Sequence, residues 1–341
     1  MTILVTGATG SLGPRIVERL LGEGRSVRVL TRRPFACDRL FGNRVEMVEW
    51  HPGSEPFPVS CLTGVDQVVH LMGAPYVGSA SKAHLAAIHQ SRLHVMQRLV
   101  AALADRRVRL VFASVAVPPA VASSGEPVSD ANLSDGVCPP GLQADVGALE
   151  AVALDARARG LTVAVMRMGL LLSPGTVWTH LVSLAERGLA PPLAGSIIPV
   201  IDPDDAATML TGLLARAELE GVFHGVAPIP LTGASVLALL RPLRRVPLSC
   251  PIPRLMAKRW LGPLTPLLLG KTPLAPQRLL DAGARFAHPD PLPRLENLIT
   301  EISEQRRAAR AWGIMGRRKD PRPPTAVTDP KDPTSSQNVA T

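Results

Sequence analysis

Residues 1–13 read MTILVTGATGSLG and contain the strongest structural signal in the chain. Residues 3–5 (ILV) form a short apolar run rich in β-branched side chains, which predicts a buried parallel strand. A glycine-rich turn follows, and residues 14–21 (PRIVERLL) then place apolar residues at helical spacing behind a proline near the helix start. Strand, G-x-x-G-x-x-G turn and helix in this order predict the opening unit of a dinucleotide-binding sheet.

Each glycine of the motif has a separate physical role in such a unit. Gly7 allows the tight turn, Gly10 lets a pyrophosphate approach the backbone, and Gly13 lets the helix pack closely. The helix N-terminus then faces the phosphates with its free N–H groups. The alternative interpretation is a structural glycine turn that holds no ligand.

The second predicted strand, residues 26–31, ends in Arg32-Arg33-Pro34. A site for NAD usually has an acidic residue here to bind the ribose 2′-hydroxyl, whereas arginine accommodates a 2′-phosphate. The first carboxylate after the strand is Asp38. We therefore favour NADP(H), with NAD the less favoured cofactor. The alternative is that both arginines form a solvated basic corner.

The rest of the chain alternates between strand and helix patterns. The fold class is therefore α/β, a Rossmann-type doubly wound parallel sheet with a smaller C-terminal α/β substrate region. We assign residues 1–170 to the NADP-binding domain, 171–300 to the substrate region, with later segments allowed to return to the sheet, and 314–341 to a disordered tail. The further predicted strands cover residues 65–71, 108–114 and 161–167, and the helices 82–105, 144–160 and 206–214.

Composition excludes several other classes of protein. The 341 residues are 46% hydrophobic and 19% charged, enough for a large core. The four cysteines are dispersed, no apolar run is long enough to span a membrane, and the first strand leaves no room for a signal peptide, so we expect a cytoplasmic protein. The net charge is +9, but 3% aromatic residues disfavour a nucleic-acid partner. The histidine spacing predicts no metal site.

Several segments together resemble an atypical extended short-chain dehydrogenase/reductase, of the NAD-dependent epimerase/dehydratase-like group with a C-terminal domain of unknown function. The resemblance implies a dinucleotide-dependent oxidoreductase or epimerase-type activity on a small molecule. The matching segments are ILVTGATGSLG (3–13), VLTRRP (29–34), VEWHP (48–52), GVDQVVHLMGAP (64–75), IHQSRL (88–93), RMGLLL (167–172), IDPDDA (201–206), GVFHGVAP (221–228), LLLGK (267–271) and PQRLLDAG (276–283).

The resemblance also implies a Tyr-x-x-x-Lys pair on one helix and a serine at the end of the preceding strand. Ser114 stands at the serine position. Counting back from Glu150, which this atypical group shares, the tyrosine and lysine positions hold Leu142 and Val146. Neither side chain transfers protons, so the usual acid/base pair is missing. Leu149 also stands where the atypical group has tryptophan.

Few proton-transferring groups remain, and three functions stay open. Ser114 is the candidate catalytic residue, and Tyr76, Asp130 and Asp145 are weaker ones. The protein is an enzyme on an unknown small substrate, a dinucleotide-binding sensor or scaffold without turnover, or an interaction protein driven by its basic tail. The predicted cofactor-binding residues are Thr6, Gly7, Gly10, Ser11, Leu12, Gly13, Arg32, Arg33, Met72, Gly73 and Ala74.

Two further charged clusters have structural interpretations. We predict that Asp204 and Asp205 cap the following helix rather than bind a metal. Lys258 and Arg259 are expected to lie on a solvated helix face rather than to clamp a phosphate.

Overall fold

The computed structural model describes residues 1–77, 81–104, 106–118, 127–132, 142–243, 250–253 and 262–318. Met1–Ile302 forms one compact unit, and Ser303–Thr341 forms a second, of which the helical residues 303–318 are described. The candidate site lies entirely within the first unit.

A seven-stranded, wholly parallel sheet forms the centre of the first unit. Its spatial order is β7-β6-β5-β4-β1-β2-β3, so the direction of winding reverses between β1 and β4. A crevice outside the carboxyl ends of the strands is expected at such a reversal. The strands are β1 (Thr2–Thr6), β2 (Ser26–Thr31), β3 (Glu46–Glu49), β4 (Val65–His70), β5 (Arg109–Val115), β6 (Thr162–Met168) and β7 (Gly221–Gly225).

Helices cover both faces of the sheet, which buries its apolar strands on both sides. A π-helical turn, Gln90–His94, joins α3 to α4. The described helices are α1 (Gly13–Gly22), α2 (Pro34–Phe41), α3 (Lys82–His89), α4 (Val95–Leu103), α5 (Leu142–Asp155), α6 (Val177–Glu186), α7 (Pro203–Ala215), α8 (Gly233–Leu240), α9 (Thr265–Leu269), α10 (Gln277–Asp281) and α11 (Leu292–Arg318). Short 3-10 helices span Gly42–Arg44, Val59–Leu62, Asp130–Asn132, Ala156–Arg159, Arg241–Leu243 and Gly262–Leu264.

Four pairs of two-residue strands lie outside the main sheet. Three pairs are parallel: Leu170–Leu171 with Val200–Ile201, Leu189–Ala190 with Cys250–Pro251, and Val128–Ser129 with Leu274–Ala275. The fourth, Ile197–Ile198 with Leu231–Thr232, is antiparallel. Three of these pairs join segments that both follow β6, and the fourth joins such a segment to residues 128–129.

The core divides into layers on either side of the sheet. One cluster joins apolar residues of α1 and α7 to β1, with Ile16 and Leu210 fully buried. Another joins α4 and α5 to β4 and β5, with Leu99 and Phe112 buried. A third cluster, around Trp178, belongs to the region after β6 and lines one side of the cleft described below.

The structure confirms the predicted α/β class and its parallel sheet. Gly221–Gly225 returns to the sheet as β7, as the sequence prediction allowed. The substrate region at 171–300 stays a functional prediction, because it lies in the same compact unit as residues 1–170. Helix α11 extends to Arg318 and thus includes the start of the predicted tail, and residues 319–341 lie outside the described ones. No helix in the described ranges combines the length and apolarity needed to cross a membrane.

Candidate functional site

A cleft of about 770 Å³ opens at the carboxyl ends of the central strands. One wall is formed by the glycine turn after β1, the arginines after β2 and the loop after β4. The other wall comes from β5, the segment after β6, and apolar residues near α9. Of the eleven predicted cofactor-binding residues, ten line this cleft: Gly7, Gly10, Ser11, Leu12, Gly13, Arg32, Arg33, Met72, Gly73 and Ala74.

Thr6 is the predicted cofactor residue that does not line the cleft. It is buried at the end of β1, where its hydroxyl forms a 2.8 Å hydrogen bond with Nδ1 of His70 on the adjacent strand. Burial lowers the pKa of His70 to about 3, so its imidazole is neutral at physiological pH. Thr6 therefore joins two strands beneath the site.

The glycine turn is as tight as the motif requires. Gly7 adopts a φ of +74°, and a Cβ on it would lie 2.8 Å from the carbonyl carbon of Leu71. A Cβ on Gly13 would lie 2.4 Å from the carbonyl oxygen of Ala8, so the start of α1 packs directly on the turn. Gly10 lies in the cleft and donates a 3.0 Å backbone hydrogen bond to Gly7. The turn thus presents backbone and the N-terminus of α1 to the cleft, a suitable site for phosphates.

The cleft lining is cationic. Its described residues include four arginines, Arg32, Arg33, Arg92 and Arg98, and no aspartate or glutamate. Arg32 and Arg33 are exposed beside the end of β2, where no lining carboxylate is available to bind a ribose 2′-hydroxyl. Arg98 donates to the carbonyl oxygens of Pro52 (2.7 Å) and Glu55 (3.0 Å). An anionic ligand is the chemical complement of such a lining.

Ser114 lies in the cleft, but its hydroxyl already has a partner. It donates a 2.5 Å hydrogen bond to Oε1 of Glu150, whose carboxylate also accepts from Nε (3.0 Å) and Nη2 (2.5 Å) of Arg167. All three residues are buried. Because its proton is donated to Glu150, the Ser114 oxygen has only lone pairs left, with which it can accept a further hydrogen bond.

Val146, the position at which the resemblance predicts a lysine, belongs to the core. Val146 is 2% exposed and lies in the same apolar cluster as Trp178 and Leu264. Leu142 begins α5, and its side chain lies outside the described residues. A buried valine at this position neither carries charge nor assists a phenol, so the described helix supplies no acid/base pair there.

The three weaker catalytic candidates have different environments. Asp130 is buried, and its carboxylate accepts backbone N–H groups of His224 (2.7 Å) and Arg278 (2.9 Å), which is a structural role. Asp145 pairs with His89 at 3.2 Å near the surface. Tyr76 alone of the three lines the cleft, and burial raises the pKa of its phenol.

An aspartate caps the helix, as predicted, but the capping residue is Asp202 rather than Asp204 or Asp205. Asp202 caps α7 through the backbone N–H of Asp204, because the helix begins at Pro203 rather than Ala206. Asp204 pairs with Arg15 at 2.8 Å, and Asp205 accepts backbone N–H groups from Ala287 and His288.

Asp202, Asp205 and His288 place potential ligand atoms within 4.8 Å of one another. Arg294 and backbone N–H groups already occupy these carboxylates, so a structural role accounts for them. Lys258 and Arg259, predicted to lie on a solvated face, fall outside the described residues.

Sequence reasoning did not assign a role to Arg92 or Arg167. Both lie in segments that carried the family resemblance, but nothing in their local pattern predicts a half-buried charge at Arg92 or a buried one at Arg167. Glu150 was recognised only as a shared position. Aligning the ends of the two predicted strands could have indicated that Ser114 and Arg167 are neighbours, because these residues pair with each other on β5 and β6.

Comparison with known proteins assigns the chain to a family. The model of the NAD dependent epimerase/dehydratase family matches residues 3–219. An Arabidopsis thaliana protein, the chloroplastic epimerase family protein SDR39U1 homolog, is 26% identical over 308 residues, covering 84% of each chain.

Two solved structures share the fold. The human epimerase family protein SDR39U1 (isoform 2), solved with NADPH, is 21% identical with a TM-score of 0.63, covering 89% of this chain and 99% of the human one. The UDP-glucose 4-epimerase of Thermus thermophilus, solved with NAD, is 18% identical with a TM-score of 0.67, covering 88% and 99%. The family model spans more than half of the chain, so this protein belongs to the NAD dependent epimerase/dehydratase family.

Proposed function

We propose that the protein binds NADP(H), in preference to NAD(H), in the cleft and uses it in an oxidoreductase or epimerase-type reaction on a small molecule. The observation that carries the proposal is the combination of a phosphate-accommodating glycine turn with Arg32 and Arg33 at the end of β2 and no acidic residue among the described lining residues. The human relative solved with NADPH supports the choice of cofactor.

The residues fit such a cofactor in two places. The turn around Gly10 and the N-terminus of α1 face the pyrophosphate. Arg32 and Arg33 supply charge for the 2′-phosphate. When bound, the nicotinamide donates or accepts a hydride.

Ser114 is the proposed substrate contact. Its hydroxyl proton is held by Glu150, so the serine oxygen accepts a hydrogen bond from a substrate hydroxyl and orients it. Arg167 keeps Glu150 in place on the opposite side. These residues position a substrate, while the described part of α5 lacks the usual proton donor. We therefore expect slow turnover on ordinary sugar nucleotides and simple carbonyl compounds.

A dinucleotide-binding protein without turnover is the second candidate, favoured by the burial of Val146 in the core. Fluorescence titration with NADPH and NADH tests the shared part of both proposals, and the absence of binding by both dinucleotides overturns both. Oxidation of bound NADPH by a panel of carbonyl compounds and sugar nucleotides then separates them. Cofactor binding without any turnover supports the sensor or scaffold role. The cytoplasmic location and the absence of a nucleic-acid partner stay predictions.

A further inference from the structure

Arg92 enters the cleft from an irregular part of its helix. The π-helical turn Gln90–His94 interrupts the helix between α3 and α4, and such turns are frequent at functional sites. Ser91 accepts a 2.8 Å hydrogen bond from the backbone N–H of Ala74, and Nη2 of Arg92 donates at 3.1 Å to the carbonyl oxygen of the same residue. The turn therefore fixes both the loop after β4 and the guanidinium of Arg92.

The guanidinium of Arg92 lies over an aromatic ring and close to the backbone of Gly73. Its central carbon lies 4.0 Å from the ring centroid of Tyr76, which is cation–π geometry. That carbon also lies 2.6 Å from where a Cβ on Gly73 would stand, so the guanidinium occupies the space that the glycine leaves open. An arginine stacked in this way has few alternative orientations, which preorganises it for a ligand.

The charge of Arg92 is not compensated within the described part of the chain. No described carboxylate lies within 4.0 Å of its guanidinium, and its buried Nε has no hydrogen-bond partner there. Burial also lowers the pKa of Arg92, which reflects the cost of holding a cation away from water. A buried donor without an acceptor is unfavourable, and an oxyanion from a ligand would remove that cost.

The surroundings of Arg92 indicate what else the ligand carries. The same cleft is lined by Val77, Val115, Leu170, Val177, Leu264 and Leu267, as well as by Ser114. Arg32 and Arg33 lie at the end of β2, whereas Arg92 contacts the loop after β4. Tyr76, over whose ring Arg92 lies, packs against the same apolar cluster, so a ligand that reaches Arg92 meets a cation beside an apolar wall.

We propose that Arg92 anchors an oxyanion of the substrate, a carboxylate or a phosphate attached to a small apolar body. This inference rests on the proposed cofactor site and adds the chemical class of the substrate. The planar guanidinium matches a carboxylate or phosphate with two parallel hydrogen bonds. Tyr76 contributes its ring as the surface on which the guanidinium is held.

The test uses protein saturated with NADPH, so that the cofactor occupies the arginines after β2. Three probes are titrated while NADPH fluorescence is followed: 4-methyl-2-oxopentanoate, isopentyl phosphate and the uncharged methyl ester of the oxo acid. We expect the two anions to bind and the ester to bind at least about tenfold more weakly, since it lacks the charge-assisted hydrogen bonds. The stronger of the two anions identifies carboxylate or phosphate as the group recognised.

Variants then assign the effect to Arg92. Arg92→Gln is expected to lose at least about tenfold in anion affinity while NADPH affinity is retained. Arg92→Lys keeps the charge without the planar fork and guards against a folding defect in the glutamine variant; we expect intermediate affinity. The matched control is Arg107→Gln, an exposed arginine that does not line the cleft.

Three results overturn the inference. The first is that neither anion binds the NADPH complex better than the ester. The second is that anion binding is unchanged in both Arg92 variants. The third is that the variants weaken NADPH itself while the remaining complex binds anions normally, which assigns Arg92 to the cofactor. Failure of the wild-type protein to bind NADPH is a different result, because it removes the proposed function.

Discussion

The hydroxyl of Ser114 donates a 2.5 Å hydrogen bond to the carboxylate of Glu150 beneath the cleft. Arg167 binds the same carboxylate from the neighbouring strand, and all three side chains are buried. The serine at the candidate catalytic position is thus hydrogen-bonded to a buried ion pair. Its contribution to stability therefore has to be measured separately from its contribution to chemistry.

Removing one partner of the buried ion pair is expected to destabilise the fold. Glu150→Ala leaves the cation of Arg167 without its carboxylate, and we expect a loss of about 3–5 kcal/mol in the free energy of unfolding. Ser114→Ala removes one hydrogen bond and should cost about 1–2 kcal/mol. Urea denaturation measures both. The control is Glu18→Ala in the exposed Glu18–Arg44 pair, where a loss below about 1 kcal/mol is expected.

The chemistry of Ser114 is tested separately. General acid/base assistance is typically worth about 10²–10⁴-fold, and the described site lacks the usual pair. We expect only slow turnover with NADPH on sugar nucleotides or simple carbonyl compounds, and a small further loss in Ser114→Ala, of the size of one substrate hydrogen bond. Single-turnover oxidation of NADPH checks this. Rapid turnover that collapses in Ser114→Ala with cofactor affinity intact would contradict it and would show a proton route through the serine.

Cofactor preference should depend on the two arginines after β2. We expect the wild type to bind NADPH more tightly than NADH. Changing Arg32 and Arg33 together to alanine should weaken NADPH binding by about 1–3 kcal/mol and leave NADH binding nearly unchanged. Fluorescence titration measures both constants. Arg39→Ala, an exposed arginine on α2 that does not line the cleft, is the control. Equal affinity of the wild type for the two dinucleotides would refute the preference.

The glycine at the centre of the turn should be essential for binding. Gly10→Val places a branched side chain at the cleft surface where the pyrophosphate must approach, so dinucleotide binding should be lost while the protein stays folded. Gly22→Val is the matched control, because a Cβ there meets nothing within 4 Å. Circular dichroism verifies folding, and titration measures binding. Wild-type affinity in a folded Gly10→Val would place the cofactor elsewhere.

The neutral histidine under the turn makes stability depend on pH. Burial lowers the pKa of His70 to about 3, below its unfolded value of 6.5, so below about pH 6.5 the unfolded chain binds a proton that the native protein does not. Stability is therefore lost as pH falls.

Between pH 7 and pH 5, we expect His70 to account for a loss of about 2 kcal/mol. Denaturation of the wild type and His70→Asn at both pH values isolates this contribution, with exposed His51→Asn as the control. The same pH slope in wild type and His70→Asn would show that His70 does not carry it.

Much of the fold and of the cofactor cleft followed from local sequence. The second strand occupies Ser26–Thr31 as predicted, because its apolar residues alternate within clear turn boundaries. The predicted start of one helix was wrong. Helix α7 begins at Pro203 rather than Ala206, because Asp202 rather than Asp204 provides the cap. Thr6 lies directly before the glycine turn, and for this reason it was predicted to bind the cofactor. Its side chain instead contacts His70, because side chains alternate between the two faces of a strand.

Local sequence was sufficient to predict β1, β2, β4, β5 and β6 of the sheet, the glycine turn with its adjacent arginines, and the lack of tyrosine and lysine at positions 142 and 146, whereas β3 and β7 were not predicted as strands. These features depend on residue type and short spacing, which act within a few residues of the chain. Only the tertiary structure brought Ser114, Glu150 and Arg167 together and laid Arg92 against Tyr76. Those contacts join residues 16 to 36 positions apart, and burial and charge compensation depend on which segments the fold brings together.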